Sequence, residues 1–371
     1  MSRPVAIVLG ARKSGAVRAM SRFAGDYEFV DLPGDVTVTS IGPDLVDAVD
    51  AVAGRRPLAA VLASSESTMP AAAFLRGRYA LPGLGPEQAA LGTNKWLMRS
   101  ALRGRVAAPQ AWLSGAFLDL AASPVPEVVI KPLASSSARG VSRMPTPAAR
   151  AFLRANRGLW LVEEALAVER EFHCDGVVHD GHVEWLLCSE YDRPVLRSFG
   201  TRTTTVLPTS SPFRAGLAHL AGEVLGGLGI GSAVFHLETL WAGETLYFGE
   251  IGLRPAGTGI AELLLRSSGA DLWAAHVAAQ LGHDPRGQGP VRAVPELSGL
   301  VMARPTQDGQ PPLPRHEARR LPGVDGTADG NLPTGHQPSN MCEFEYLAFF
   351  ENLSPGSVER LRGRIGREAA Q

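Results

Sequence analysis

Two acids, Glu238 and Glu250, sit in the apolar runs "FHLETLW" and "TLYFGEIG", which are separated only by the turn "AGE". Both runs alternate as strands do, so antiparallel pairing across the turn brings the two carboxylates side by side. Neighbouring carboxylates repel unless they share a proton or a cation. Hard oxygen ligands alongside a polyphosphate suit Mg²⁺, which takes one or two carboxylates from a protein and keeps waters. Arg254, in the loop after Glu250, is placed to neutralise charge on a transferring phosphoryl group. His236 lies two residues before Glu238 and shares its strand face. It reads either as a substrate contact or as a satisfied structural histidine.

A second stretch, "VVIKPLASSSARGV", ends an apolar strand on Lys131 and continues through Ser135, Ser136, Ser137 and Gly140. A lysine aimed at a loop of small residues, whose N–H groups and hydroxyls approach closely, suits a polyphosphate. A flexible hairpin with a snorkelling lysine has the same pattern. In "LWLVEEALAVEREF", Glu163 and Glu164 close one strand and Glu171 opens the next. These acids can accept from a ligand amino group and from ribose hydroxyls, with the backbone of Ala165 and Leu166 within reach of a base; solvated turn charges are the alternative. Of 36 Lys and Arg residues only three are lysine, Lys13, Lys95 and Lys131. Arginine serves wherever a general positive charge will do, so a retained lysine points to a need for a compact ammonium.

The elements that must position these groups follow from the pattern. The first ninety residues alternate short β-rich runs with helical stretches, which predicts an open parallel α/β sheet. The turn "GARKSGAV" after the first strand has the glycine gap of a phosphate loop but no Lys-Ser/Thr after Gly15, and it lacks the glycine spacing of a dinucleotide fingerprint. It reads as a plain strand-to-helix turn. A helix carrying Lys95 leads into a largely β segment with a helix near 146–155 and a hairpin at "HDGH". A helix over 213–228, the two strands of the acid pair, and a helical stretch over 259–281 come next. The remainder is rich in Pro and Gly, then gives "CEFEYLAFFENL" and a final helix opened by Ser354-Pro355.

Length and composition bound the rest. A chain of 371 residues implies two or three domains. A formal net charge of -1 gives no reason to propose nucleic acid or an anionic membrane as partner. The N-terminal apolar run is too short for a signal peptide, which leads to an expectation of a cytoplasmic protein. Cys174, Cys188 and Cys342 are scattered without CxxC spacing, so reduced thiols are expected.

Taken in order, these segments resemble the ATP-grasp superfamily, specifically its carboxylate-amine ligases, over about residues 91–285. The resemblance implies an α/β ATP-grasp fold with an N-terminal open parallel-sheet domain (1–90), a linker helix and small subdomain (91–195), a large subdomain (196–285), and a small C-terminal β-rich lobe (286–371) completing it. It assigns Lys95, Lys131 and the loop from Ser135 to Gly140 to ATP phosphates, and Glu163, Glu164, Ala165, Leu166 and Glu171 to adenine and ribose. Glu238 and Glu250 become ligands of Mg²⁺, or of Mn²⁺, and Arg254 the phosphate-facing arginine. The implied reaction phosphorylates a small-molecule carboxylate, and an amine then displaces phosphate to give an amide. Similarity to dipeptide-forming relatives points to an amino acid or small peptide as substrate, and a homodimer is compatible with the family. The motif departs from the family at "EIGLR", where Gly252 stands in place of an Asn that helps bind a second Mg²⁺. Within the same fold the alternatives are a bicarbonate-phosphorylating enzyme and a non-catalytic ATP sensor. Arg197 or Arg202 is a candidate contact for a substrate carboxylate.

Overall fold

The computed structural model describes residues 3–10, 13–197, 200–294, 296–340 and 342–367, and their strands form three sheets. The first is parallel, in the order β2 (Glu28–Asp31), β1 (Val5–Leu9), β3 (Leu58–Ala63). Every residue of β1 is buried because helices cover both faces, which explains its unbroken apolar run. Val5, Ile7 and Leu9 pack with Leu45, Val49, Ala72 and Leu75 of helices Pro43–Ala53 and Met69–Tyr79. Ala6 and Val8 share a core with helices Ser14–Ser21 and Leu272–Gln280, and this core continues into the largest sheet.

The small antiparallel sheet has the order β4 (Ala111–Leu113), β7 (Trp160–Glu164), β5 (Glu127–Pro132), β6 (Ser142–Pro145). Val128, Ile130 and Val162 pack beneath Phe117, Ala149 and Leu153 of helices Ser114–Asp119 and Thr146–Ala155. Strand alternation then turns Val129, Lys131 and Glu163 to the opposite face.

The large sheet contains β8 (Arg170–His179), β9 (His182–Tyr191), β10 (Arg202–Val206), β11 (Ala233–Ala242), β12 (Thr245–Gly252), β13 (Leu297–Ala303), β14 (Gly326–Asp329) and β15 (Tyr346–Leu353). Their order is β12-β11-β8-β9-β10-β13-β15-β14. Strands β8 and β9, grouped with the small subdomain in the sequence, hydrogen-bond into this sheet, and the strands after residue 286 extend it. The β8–β9 turn is tight, with Asp180 (φ 49°) and Gly181 (φ 79°) both left-handed, the geometry a two-residue hairpin requires. Helix Phe213–Gly227 covers one face through Leu217, Ala221 and Val224 against Phe172, Cys174, Phe235 and Leu237. Cys174 and Cys188 are buried free thiols facing each other at 3.6 Å.

Two stretches differ locally from the sequence expectation. The helix over 259–281 is two helices, Ile260–Ser268 and Leu272–Gln280, broken where Gly269 turns left-handed (φ 84°) and Asp271 caps the next helix by accepting from Ala274 N–H. The helix carrying Lys95 begins at that residue: Asn94 caps it by accepting from the Trp96 and Leu97 N–H groups, and the helix runs Lys95–Ala101. Among the described residues no helix is long and apolar enough to cross a membrane.

Candidate active site

The acid pair sits where β11 meets β12. Glu238 and Glu250 oppose each other in register, and a bulge follows directly. Gly249 is the extra residue, and a Cβ there would come within 2.7 Å of the Glu238 carbonyl oxygen; a bulge that re-aims a neighbouring side chain needs this kind of close backbone approach. The Lys95 ammonium lies 2.7 Å from Glu250 Oε1 and donates to the Ser135 carbonyl at 2.5 Å. Its backbone N–H donates to the Leu133 carbonyl, which fixes the helix start beside the small-residue loop. Burial, with the Glu238 charge beside it, pushes the Glu250 carboxyl upward against the pull of Lys95. Burial acts on Glu238 too, but His236, 3.5 Å away, outweighs it and holds Glu238 down at about 2.

Lys131 is positioned by Glu163. One Glu163 oxygen meets Lys131 Nζ at 2.5 Å and the other meets Arg99 Nε at 2.5 Å, while Arg99 Nη2 donates to the Gly249 carbonyl at 2.7 Å. Burial alone would raise the Glu163 pKa; the two cations overcome it and bring it to about 2. Glu163 was expected to meet a ligand amino group or ribose, yet both its oxygens are taken by cations. Its place is that of a tie between the small sheet, the Lys95 helix and the bulge.

The other nucleotide candidates divide. Glu164, Leu166 and Glu171 line the cavity, as do Ser136 and Ser137. The Ala165 N–H already donates to the Glu127 carbonyl at 3.1 Å, so the backbone of Ala165 has no donor left for a base. Glu171 accepts from the Val195 N–H at 2.7 Å; burial and the Glu238 charge push its pKa to about 7. The Ser135 hydroxyl donates to the Arg139 carbonyl within its own loop. That loop is held by Ser137 and Ala138, both left-handed (φ 63° and 54°), and by Gly140 (φ 71°), where a Cβ would stand 2.9 Å from the Pro132 ring.

Behind the acid pair lies a buried network. His173 and His236 each hold one oxygen of Asp175, at 2.6 and 2.9 Å, and His173 also reaches the Thr204 hydroxyl at 2.8 Å. Burial opposes ionisation of Asp175, but the two imidazoles keep it ionised well below the usual range. Burial would likewise neutralise His236; Asp175 reverses this and raises its pKa to about 10. His236 therefore faces the cavity as an imidazolium between Asp175 and Glu238.

The cavity itself is about 890 Å³. It runs from Val129, Leu166 and Leu240 past the acid pair to Arg254, Glu66 and Lys13. Arg254 Nη2 pairs with Glu66 at 3.0 Å, which brings the N-terminal sheet's loop to the site. Lys13, whose turn the sequence leaves without a role, lines the same cavity, and burial followed by Arg254 lowers its pKa. The Arg197 side chain lies outside the described residues. Arg99, Glu66, His173 and Asp175 were missed in the sequence. Only the last two carried a local signal, a period-two pair of polar groups inside an otherwise apolar strand.

No family model matches the chain. The L-arginine-specific L-amino acid ligase of Bacillus subtilis is 25% identical over 246 residues, covering 62% of this chain and 59% of that one. The chain thus spans about three fifths of the length of that curated relative. Among solved structures, an L-amino acid ligase from Bacillus licheniformis superposes with a TM-score of 0.78 at 17% identity, covering 99% of this chain and 98% of that one. An N5-carboxyaminoimidazole synthase from Aspergillus clavatus, in complex with ADP and 5-aminoimidazole ribonucleotide, gives 0.69 at 14% identity over 98% and 99%. Phosphoribosylglycinamide synthetase from Anaerococcus prevotii gives 0.67 at 12% identity over 97% and 96%. At such identities the likeness is one of fold alone: over nearly its whole length the chain shares the mixed α/β ATP-grasp fold of these structures.

Proposed function

We propose that the chain is an ATP-dependent carboxylate-amine ligase that forms an amide through an acyl phosphate, with an amino acid or small peptide as its carboxylate. The observation that carries this is the register pairing of Glu238 with Glu250, with Lys95 on one acid and Lys131 lining the same cavity. Two carboxylates with side chains 34% and 26% exposed toward a cavity fit a divalent cation. Mg²⁺ held there would neutralise charge on the nucleotide phosphates. The two relatives described as L-amino acid ligases support the substrate class.

The residues divide the work. Val129, Leu166 and Leu240 offer the apolar slot for a base, and Glu171 stands where ribose hydroxyls can donate to it. Lys95, Lys131 and the loop at Ser136 and Ser137 face the phosphates. A carboxylate oxygen attacks the γ-phosphorus, the bond to the β-phosphate oxygen breaks, and ADP leaves. The neutral amine then attacks the acyl carbon, phosphate departs, and the amine proton goes to solvent or phosphate. Arg254, held by Glu66, stabilises the oxygens that gain charge, a contribution typically about 10²–10³-fold per preorganised donor. Since little covalent chemistry falls to the protein, positioning and neutralisation account for the rest.

The test is ADP release across paired L-amino acids, with mass detection of the product. Amide formation with ADP and phosphate in equal amounts supports the proposal. ADP release that needs bicarbonate and no other carboxylate, or ATP binding without any turnover, overturns it.

A further inference from the structure

Arg202, on β10, is 4% exposed and lines the cavity. Among the described residues its Nε and Nη2 have no hydrogen-bond partner. Its guanidinium lies over the Tyr191 ring, 5.0 Å from the centroid. The acid beside it is Glu171, whose carboxylate already accepts from the Val195 N–H. A second buried guanidinium, Arg304, is close enough that burial, reinforced by Arg202, lowers its pKa to about 10. Buried guanidinium N–H groups left without an acceptor are costly, and an arginine cannot escape by deprotonation. Its fork of donors matches a carboxylate or a phosphoryl group in two-point contact. In the sheet order β10 lies three strands from β11, roughly 14 Å at ordinary strand spacing, so the position is distinct from the acid pair.

We infer that Arg202 anchors an oxyanion inside the cavity, either a carboxylate of a substrate or a phosphoryl group. Which of the two arrives rests on the ligase proposal; the two unpartnered N–H groups do not.

The test uses the full chain and the variants R202Q and R202K. Orthophosphate is titrated into the MgADP-loaded protein, the affinity of a non-hydrolysable ATP analogue is measured, and the KM for whichever carboxylate supports turnover is determined. R202Q is expected to weaken orthophosphate about tenfold or more while MgADP affinity stays within about threefold; R202K should fall between, keeping the charge without the fork. A rise in carboxylate KM identifies the substrate as the source, and a loss of analogue affinity identifies the phosphoryl group. Should R202Q lose MgADP binding as well, R202K carries the comparison. If the variant compared matches the unaltered protein within about threefold on every measurement, the inference is overturned. If no carboxylate supports turnover the ligase proposal falls, and the two titrations still decide the role of Arg202.

Discussion

The Lys95 ammonium lies 2.7 Å from a Glu250 oxygen and 2.5 Å from the Ser135 carbonyl, so a helix start, a strand end and the small-residue loop meet at one nitrogen. Glu250 thus faces both a fixed cation and the acid opposite, Glu238. Replacing Glu250 by Gln keeps the shape and removes half of the paired negative charge. The expected result is a fall in kcat of about 10²–10³-fold with ADP affinity little changed. Turnover within about threefold of the unaltered protein would remove Glu250 from the metal role.

Glu163 makes a prediction about stability. It is 2% exposed and carries Arg99 on one oxygen and Lys131 on the other. Glu163→Ala leaves both cations without it and is expected to cost about 3–5 kcal/mol in denaturant unfolding. Its folded pKa of about 2 lies below the ordinary 4.5. The stabilisation is therefore complete above pH 4.5 and is lost as pH falls toward 2. The gap between the unaltered protein and Glu163→Gln should shrink over that window; a gap unchanged from pH 7 to pH 3 contradicts the assignment.

What was legible in the sequence was local. The opposition of Glu238 and Glu250 follows from period-two alternation around a short turn, and Lys95 and Lys131 stood out by their scarcity. Partnerships made by tertiary packing were not legible. Arg99 and Glu163 are 64 residues apart, and Arg254 and Glu66 are 188 apart. Nothing in an alternating strand states which sheet it will join, which is why β8 and β9 were grouped with the small subdomain although they pair into the large sheet. Glu163 had the position of a ligand contact, and only burial between two cations reveals its structural place.

Gly252 can be tested by restoring a side chain. It pairs with His236 at the end of β12, and a Cβ placed there meets nothing closer than the Arg254 side chain at 3.8 Å. That is ordinary contact, and no left-handed φ requires glycine. Gly252→Asn should fold normally and add an amide oxygen beside the acid pair. Since Mg²⁺ takes oxygen ligands, the expected effect is a lower Mg²⁺ concentration at half-maximal ADP release. A higher Mg²⁺ requirement in a stably folded variant would count against metal binding at this end of the strand pair.

His236 links the buried network to the pH dependence of the site. Its folded pKa of about 10 lies above the ordinary 6.5 because Asp175 outweighs burial. Stability from this pairing is therefore fully present below pH 6.5 and is lost as pH rises through about 10. Asp175→Asn removes the charge that keeps the imidazole protonated and leaves burial to favour the neutral form. At pH 8 the variant then presents a neutral ring to Glu238 where the unaltered protein presents a cation. The expected outcome is a descending limb in kcat/KM near neutral pH in Asp175→Asn, with partial recovery at pH 6, while the unaltered enzyme shows no such limb below about pH 9. A purely structural role for Asp175 lowers activity equally at all pH values, so parallel profiles would refute the charge linkage and leave the network with packing alone.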